Sequence, residues 1–318
     1  MLRKIAVIGY GSIGLRHTQF LKKNYQVNVF SSRSHLNEKN IKFFKNLDNC
    51  LDGCSHAFIC NYTADHLKFI KKCLKKNIHV YCEKPIHNKI FNLSFFVKNN
   101  YFKKNLLYIG FQLRFDEVII KAKKIASETS KYGRLLHYRG YVGQNLKNWR
   151  NNIHYTRSVS YSKEKGGGVL LELIHDIDLA NHLLSSFVLI NAFSSTSLFK
   201  SSDIEDTASI NFKTNNGIYG NIFLDMVSPR LRREIQLTFE KCIFIFDIAD
   251  SKITKISNKK RKVVKLKKNE RNKSFLKSHM KFFKESSKVS FLVNNSKILK
   301  YNLKLINIIN KIKRKYSH

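Results

Sequence analysis

The sequence predicts a two-domain protein. The first domain is a doubly wound parallel α/β sheet, and the second is an α+β domain with a large, mostly antiparallel open sheet. Three observations predict this. Apolar runs of strand length alternate with helical stretches through residues 1–115. A G-x-G-x-x-G turn, Gly9-Tyr10-Gly11-Ser12-Ile13-Gly14, joins the first such strand to the first such helix. From Val188 onward, period-2 runs follow one another with no helix between them.

Lys4 to Ile8 is the first strand, and a helical pattern runs from Ser12 to about Lys23. Gly9 suits a tight turn. Gly11 lets a pyrophosphate approach the backbone, and Gly14 lets helix and strand pack closely. The helix start at Ser12 and Ile13 offers N–H groups and a partial positive charge to that phosphate. Gln26 to Phe30 is the second strand. Its end, roughly 20 residues past the first glycine, is where such folds recognise the ribose. An acid there would accept from a 2′-hydroxyl, but this chain has Ser31, Ser32 and Arg33. Arg33 can grip a 2′-phosphate, so NADP is expected over NAD.

Residues 41–52 read as a short helix, and His56 to Cys60 as a buried strand. Capping residues from Asn61 to His66 open a helix that ends near Lys76. Ile78 to Cys82 is a strand closed by Glu83-Lys84-Pro85. A helix near Ile90–Asn99 and a strand at Leu106–Gly110 complete the alternation. After Gly110 to Phe115, a helix runs to about Glu128 and a strand covers Leu135–Val142. Period-2 strands are expected at Val188–Leu198, Ala208–Lys213, Ile218–Met226, Glu234–Phe239 and Cys242–Ile248, with a hairpin at Asn215-Asn216-Gly217. Residues 272–287 and 296–314 read as closing helices. The domains expected are 1–115, nucleotide-binding, and 116–318, for substrate and oligomerisation.

Composition narrows the classes. With 318 residues and 43% hydrophobic content the chain is globular. No apolar run is long enough to span a membrane, and residues 1–8 are too short for a secretory signal, so a cytoplasmic protein is expected. The net charge of +37 is extreme. Lysine, asparagine, isoleucine and phenylalanine are abundant throughout, with two prolines, which reads as a codon bias rather than a nucleic-acid patch. The densest basic run, Lys255 to Lys268, alternates with Ile256, Val263, Val264 and Leu266 and reads as a hairpin with solvated lysines. The six cysteines contain no C-x-x-C pair, so no metal site is expected. Cys60 and Cys82 read as small buried thiols of a reducing compartment.

Two further stretches carry chemistry. Lys84 at a strand end beside a nucleotide is a candidate general acid/base if its surroundings lower its pKa. Gly166-Gly167-Gly168 precedes an apolar helical pattern from Val169 to Leu184. Glu172, His175 and Asp176 share one face of it and suit the wall of a site, with a histidine for proton transfer and carboxylates to orient it.

The chain resembles the Gfo/Idh/MocA oxidoreductase family. The Gly9–Gly14 turn with Arg16-His17 looks like that family's nucleotide turn. Asn61 to His66 stands where the family has a Thr-Pro turn ending in histidine, and Glu83-Lys84-Pro85 is its hallmark lysine motif. Gly110 to Phe115 resembles its strand leaving the cofactor domain, and Gly166 to Asp178 its active-site helix. The resemblance implies a Rossmann domain and hydride transfer between NAD(P) and a sugar or cyclitol carbon. Lys84 and His175 would handle the hydroxyl proton, converging on one carbon from the two domains. It also implies cofactor contacts from Asn61, His66, Glu83, Lys84 and Gln112, and substrate contacts from Lys84, Arg114, Tyr161 and Asp176.

Two features depart from the family pattern. Asn61-Tyr62 replaces Thr-Pro. Glu172 precedes His175 by three positions where many members have four, so His175 and Asp176 stand as alternatives for the proton-transfer position. Val142 to Arg150, with Tyr155 and Tyr161, is similar to a subgroup tied to surface-polysaccharide and deoxysugar synthesis. Trp149 and Arg150 are expected to cover the nicotinamide or to grip a substrate anion, with a packed loop anchor as the alternative. The expected partner is a small sugar, anionic or nucleotide-activated, with no nucleic acid or membrane and with self-association. The competing readings are a redox-assisted glycosidase or eliminating enzyme that keeps its cofactor, and a non-catalytic NADP-binding sensor or nucleic-acid binder.

Overall fold

A computed structural model describes residues 2–33, 38–97, 101–150, 154–200, 203–267, 271–288 and 290–315. They form two compact units, residues 1–110 with 278–306 and residues 111–277 with 307–318. The division expected from the sequence was a single boundary at 115. The contacts divide the chain after Gly110 and return residues 278–306 to the first unit.

The first unit is built on strands β1 (Lys4–Ile8), β2 (Gln26–Phe30), β3 (Ile41–Phe44), β4 (Cys54–Ile59), β5 (His79–Glu83) and β6 (Leu107–Gly110). They pair in parallel in the order β3-β2-β1-β4-β5-β6. This is the dinucleotide-fold order, and its direction reverses between β1 and β4, where ligands of such sheets gather. Ile5, Ala6, Val7 and Ile8 are all fully buried, as a strand covered on both faces requires. The helices are α1 (Ser12–Leu21), α2 (Leu47–Leu51), α3 (His66–Lys75), α4 (Ser94–Val97) and α5 (Tyr101–Lys104).

Residues 41–52, expected as one helix, divide into β3 and α2. The Ile41-Lys42-Phe43-Phe44 run finds an unpaired edge on β2 and suits a strand better than a helix, while the Asn46 side chain accepts the Asn49 N–H and starts α2 afresh. The helix expected near 90–99 is present as α4, and residues 98–100 lie outside the described residues.

Residues 278–306 seal this unit. Phe282 packs edge-on against Phe58 at 5.5 Å, and Tyr81 donates to or accepts from Ser278 at 3.1 Å. Fully buried Asn295 accepts the Leu107 N–H at 2.9 Å and donates to Phe102 O and Asn105 O. A buried amide bonded on both sides stabilises, whereas one left unpaired costs about 1–3 kcal/mol.

The second unit carries strands β7 (Leu135–Gly143), β8 (Phe187–Ser195), β9 (Thr207–Thr214), β10 (Tyr219–Asp225), β11 (Arg232–Phe239), β12 (Ile243–Asp247), β13 (Lys252–Ser257) and β14 (Lys260–Lys265). Their order is β14-β13-β12-β11-β7-β10-β9-β8. Only β7 and β10 pair in parallel; the rest are antiparallel. One face buries Tyr138, Ile210, Phe212, Ile222 and Leu237. On the other, Asn221 donates to Asn211 and Asn211 to Asn191, an amide ladder across three strands, flanked by exposed Val188, Ile190, Phe193 and Phe223. All six residues of β14 are exposed, as expected of a solvated basic hairpin.

The helices are α6 (Glu117–Ser127), capped by Asp116, α7 (Thr129–Tyr132), α8 (Val169–Glu172), α9 (Ile174–Leu184), α10 (Arg271–Ser286) and α11 (Leu292–Lys315). The single helix expected over 169–184 is interrupted at Leu173, whose ψ of 20° leaves the helical range. Among the described residues no helix is long and apolar enough to cross a membrane.

Candidate functional site

In the first unit the three turn glycines have three different surroundings. Gly9 has φ +94°, and a Cβ there would lie 2.8 Å from the Asn61 backbone. A Cβ at Gly14 would lie 1.9 Å from Gly9 O, so helix and turn touch only because it is absent. At Gly11 a Cβ would meet nothing within 4 Å, and its φ of −79° and ψ of −169° suit any residue. Neither backbone nor packing asks for glycine there. Gly11 is also the N-cap of α1 and supplies no capping side chain, so the first N–H groups at Ser12, Ile13 and Gly14 have no intrahelical acceptor. Ser12 is exposed and Ile13 half-buried. An open glycine in front of an uncapped ten-residue helix fits a pyrophosphate.

Beside this turn, Asn61 Oδ1 is buried without a hydrogen-bond partner, an acceptor that a ribose or amide donor would satisfy. Ser31 is buried and its Oγ accepts the Arg33 N–H at 3.2 Å, while Ser32 and Arg33 are exposed. His66 is 1% exposed and touches Asn61 O at 3.1 Å and Pro85 O at 2.8 Å. The fold thereby brings Gly9, Asn61, His66 and the half-buried Lys84 into adjacent loops. Cys60 is partly exposed as a residue, but its thiol is enclosed and pushed well up by burial and then by Glu83.

Glu83 faces inward. Its Oε1 lies 2.9 Å from His17 Nε2, and His17 Nδ1 lies 2.6 Å from His279 Nε2. With the carboxylate as acceptor, His17 carries its proton on Nε2 and accepts from His279 through Nδ1. Burial, and then His17, hold His279 well below the ordinary histidine range. The sequence marked His17 only as part of a motif. Nothing local pointed to His279.

In the second unit, the break at Leu173 sends the helix-borne acids to different partners. Half-buried Glu172 accepts from Ser160 Oγ at 2.6 Å, whereas Asp176, 3% exposed, pairs with Arg233 at 3.1 Å. His175 is 6% exposed and stands edge-on to Phe111 at 5.9 Å. Arg114 forms a two-point ion pair with fully buried Asp178 and lies over the Phe111 ring at 5.1 Å. Phe111, Arg114, His175 and Asp178 therefore form one cluster, and Gln112 beside it keeps Oε1 buried without a partner.

Tyr138 also has a buried, unpartnered hydroxyl. Burial, and then the Asp176 charge, raise its pKa well above 10. Trp149 donates its indole N–H to Gln144 O at 3.0 Å, which closes its own loop, and Arg150 is half-buried beside it. Tyr161 packs against Tyr155 at 5.5 Å and Phe199 at 5.9 Å. Sequence reasoning missed Ser160, Asp178 and Arg233. The first and last lie 12 and 57 positions from the acids they bind, and no local pattern announces either. Among the described residues no group of three His, Cys, Asp or Glu is arranged to hold a metal.

A parallel sheet in dinucleotide order, an open glycine before an uncapped helix and an open mixed sheet define a two-unit protein of the dinucleotide-binding class. A family model described as the oxidoreductase family with NAD-binding Rossmann fold matches residues 3–98, and the Gfo/Idh/MocA C-terminal domain model matches residues 120–244. Together they span more than half of the sequence, and the chain belongs to the Gfo/Idh/MocA family.

Among curated relatives, the chain is 24% identical over 196 residues to a myo-inositol 2-dehydrogenase of Thermotoga maritima, a match covering 58% of this chain and 56% of the relative. It is 27% identical over 197 residues to an uncharacterized oxidoreductase of Bacillus subtilis, covering 57% and 54%. The matches thus span about half the length of these relatives. Among solved structures, the apo form of a levoglucosan dehydrogenase superposes with a TM-score of 0.79 at 15% identity, over 98% of this chain and 95% of that one. A UDP-N-acetylglucosamine 3-dehydrogenase from Acidithiobacillus ferrooxidans does so with 0.72 at 16% identity, over 96% and 97%. These likenesses concern the fold.

Proposed function

We propose that the chain is an NAD(P)-dependent dehydrogenase or reductase acting on a CH–OH group of a sugar, sugar derivative or cyclitol. The observation that carries this reading is Gly11, open on its Cβ side in front of an uncapped helix. The names of the relatives, inositol and sugar dehydrogenases, support the substrate class. The first unit serves the nucleotide, and the second serves the substrate and self-association.

Nicotinamide, when bound, supplies or takes the hydride. The chain's own residues do the rest. The N–H groups of Ser12, Ile13 and Gly14 hold the pyrophosphate, and Ser31, Ser32 and Arg33 hold the adenosine ribose. With no carboxylate there, a 2′-phosphate is tolerated and NADP is favoured over NAD. Asn61 and His66 shape the nicotinamide end, and Glu83, Gln112, Trp149 and Arg150 are further candidates for cofactor contacts. Lys84 gives or takes the hydroxyl proton. His175, set edge-on against Phe111, shares that proton transfer. Arg114 and Tyr161 contact the substrate, which is anionic or nucleotide-activated, in keeping with the net charge of +37. The protein works in the cytoplasm as a homo-oligomer joined through the exposed apolar residues Val188, Ile190, Phe193 and Phe223.

The test is Lys84→Ala. A screen of sugars and sugar nucleotides followed by NADPH absorbance should find a substrate. The variant should then bind NADPH nearly as well while turnover falls by ~10²–10⁴-fold. Unchanged turnover would remove Lys84 from the chemistry.

A further inference from the structure

Two neighbouring strands of the first unit end in loops, residues 60–66 after β4 and residues 84–90 after β5. Two imidazoles tie these loops in opposite directions. His66, on the first loop, reaches with Nδ1 to Pro85 O of the second at 2.8 Å, and with Nε2 back to Asn61 O at 3.1 Å. His87, on the second loop, reaches with Nε2 to Ala64 O of the first at 3.1 Å, while its Nδ1 lies 3.1 Å from both the Lys89 N–H and Lys89 O. Each loop therefore lends a ring to the other's backbone, and both anchors on the second loop, Pro85 and His87, follow Lys84 within three residues.

We propose that His66 and His87 are positioning residues, a reciprocal clasp that fixes the Lys84 loop against the Asn61 loop. The proposal rests on the reading of Lys84 as the acid/base group, since a displacement of about 1 Å of a reacting group can cost ~10²-fold in rate.

The hydrogen-bond chemistry is specific for each ring. His87 Nδ1 stands equally far from the Lys89 N–H and from Lys89 O; when it accepts from the N–H, the ring proton sits on Nε2 and points at Ala64 O, the form that ties the loops. His66 faces a carbonyl oxygen at each nitrogen, and a carbonyl can only accept. Its shorter contact, to Pro85, takes the proton, so the ring carries hydrogen on Nδ1. This tautomer is the one that ties the two loops together.

Two measurements test the clasp, and the first needs no substrate. Long-range proton–nitrogen correlation spectra of the full chain report which nitrogen of His66 is protonated. Hydrogen on Nδ1, alone or with Nε2, is the expected result. Hydrogen on Nε2 alone would leave Pro85 O facing a lone pair and would overturn the proposal.

The second measurement uses His87→Ala, at a half-buried position where the substitution leaves the sheet core intact. Backbone amides of residues 84–90 should exchange about fivefold faster, in line with one lost hydrogen bond, while the rest of the first unit is unchanged. Turnover should fall about tenfold with the cofactor KM within twofold, and His87→Gln, which keeps a donor, should restore most of it. Unchanged exchange in that loop, or faster exchange with unaltered turnover, would overturn the positioning role. A wild-type protein that oxidises or reduces no sugar would instead sink the enzymatic reading, and the spectra and exchange rates would still read the clasp.

Discussion

At Gly11 a Cβ would meet nothing within 4 Å, whereas at Gly167 it would lie 2.5 Å from Ser160 O and at Gly168 2.5 Å from Glu205 Oε1. Gly168 also sits at φ +99°, a conformation that side chains resist. The glycines before α8 are therefore explained by the second unit's own packing. Gly11 is not, and what it leaves room for lies outside the chain. Gly9 and Gly14 resemble the triple glycine in this respect, although they flank Gly11 in sequence. A glycine that nothing in the protein requires is a sharper sign of a ligand than a glycine-rich spelling.

The contrast can be broken experimentally. The largest effect is expected at Gly14→Ala, where the added carbon would lie 1.9 Å from a backbone oxygen that cannot step aside. The variant should lose more than about 3 kcal/mol or fail to fold, as read by circular dichroism melting. A melting temperature like the parent's would mean that helix and turn are looser than described.

A second effect is expected in acid. Of the buried rings of the first unit, His56 is held at about 3 by burial, then by His79 and Arg3, and His66, His79 and His279 are also lowered. In the unfolded chain these rings titrate near 6.5. Between pH 6.5 and 3 the unfolded state takes up protons that the folded state refuses. Stability is therefore full above pH 6.5 and declines as pH falls, by roughly 3 kcal/mol at pH 4 for His56 alone. Denaturant titrations at pH 7 and pH 4 measure the loss, and the His56 ring resonance should not titrate in that interval. A normal titration near 6.5 would refute the buried, neutral ring.

The third and smallest effect is Gly11→Ala. Its melting temperature should match the parent's, while NADPH binds about 10- to 100-fold more weakly, as fluorescence titration would show. Equal affinity would mean that no ligand uses that opening.

What the sequence made legible is what local pattern encodes. The turn from Gly9 to Gly14, the order of strands and the exposed basic hairpin all follow from spacing within a few residues. Residues 41–44 misled because a short aromatic run has no period of its own and became a strand only where β2 left an edge to pair. The break at Leu173 was hidden for a related reason: the apolar spacing continues through it, and it shows only in the separate ties of Glu172 to Ser160 and Asp176 to Arg233. His17 lay inside a readable motif, yet its bonds to Glu83 and His279 join positions 66 and 262 residues apart. Contacts of that range are set by the finished fold.

Phe282, Phe291 and Asn295 come from the last part of the chain and complete the core begun by Ile5, Val7, Phe58 and Tyr81. On the ribosome, the nucleotide-binding half emerges first but cannot close until the other half has been synthesised. Its aromatic floor meanwhile faces the cell's water and chaperones, so a fragment cut at residue 115 would be a sticky, half-covered sheet.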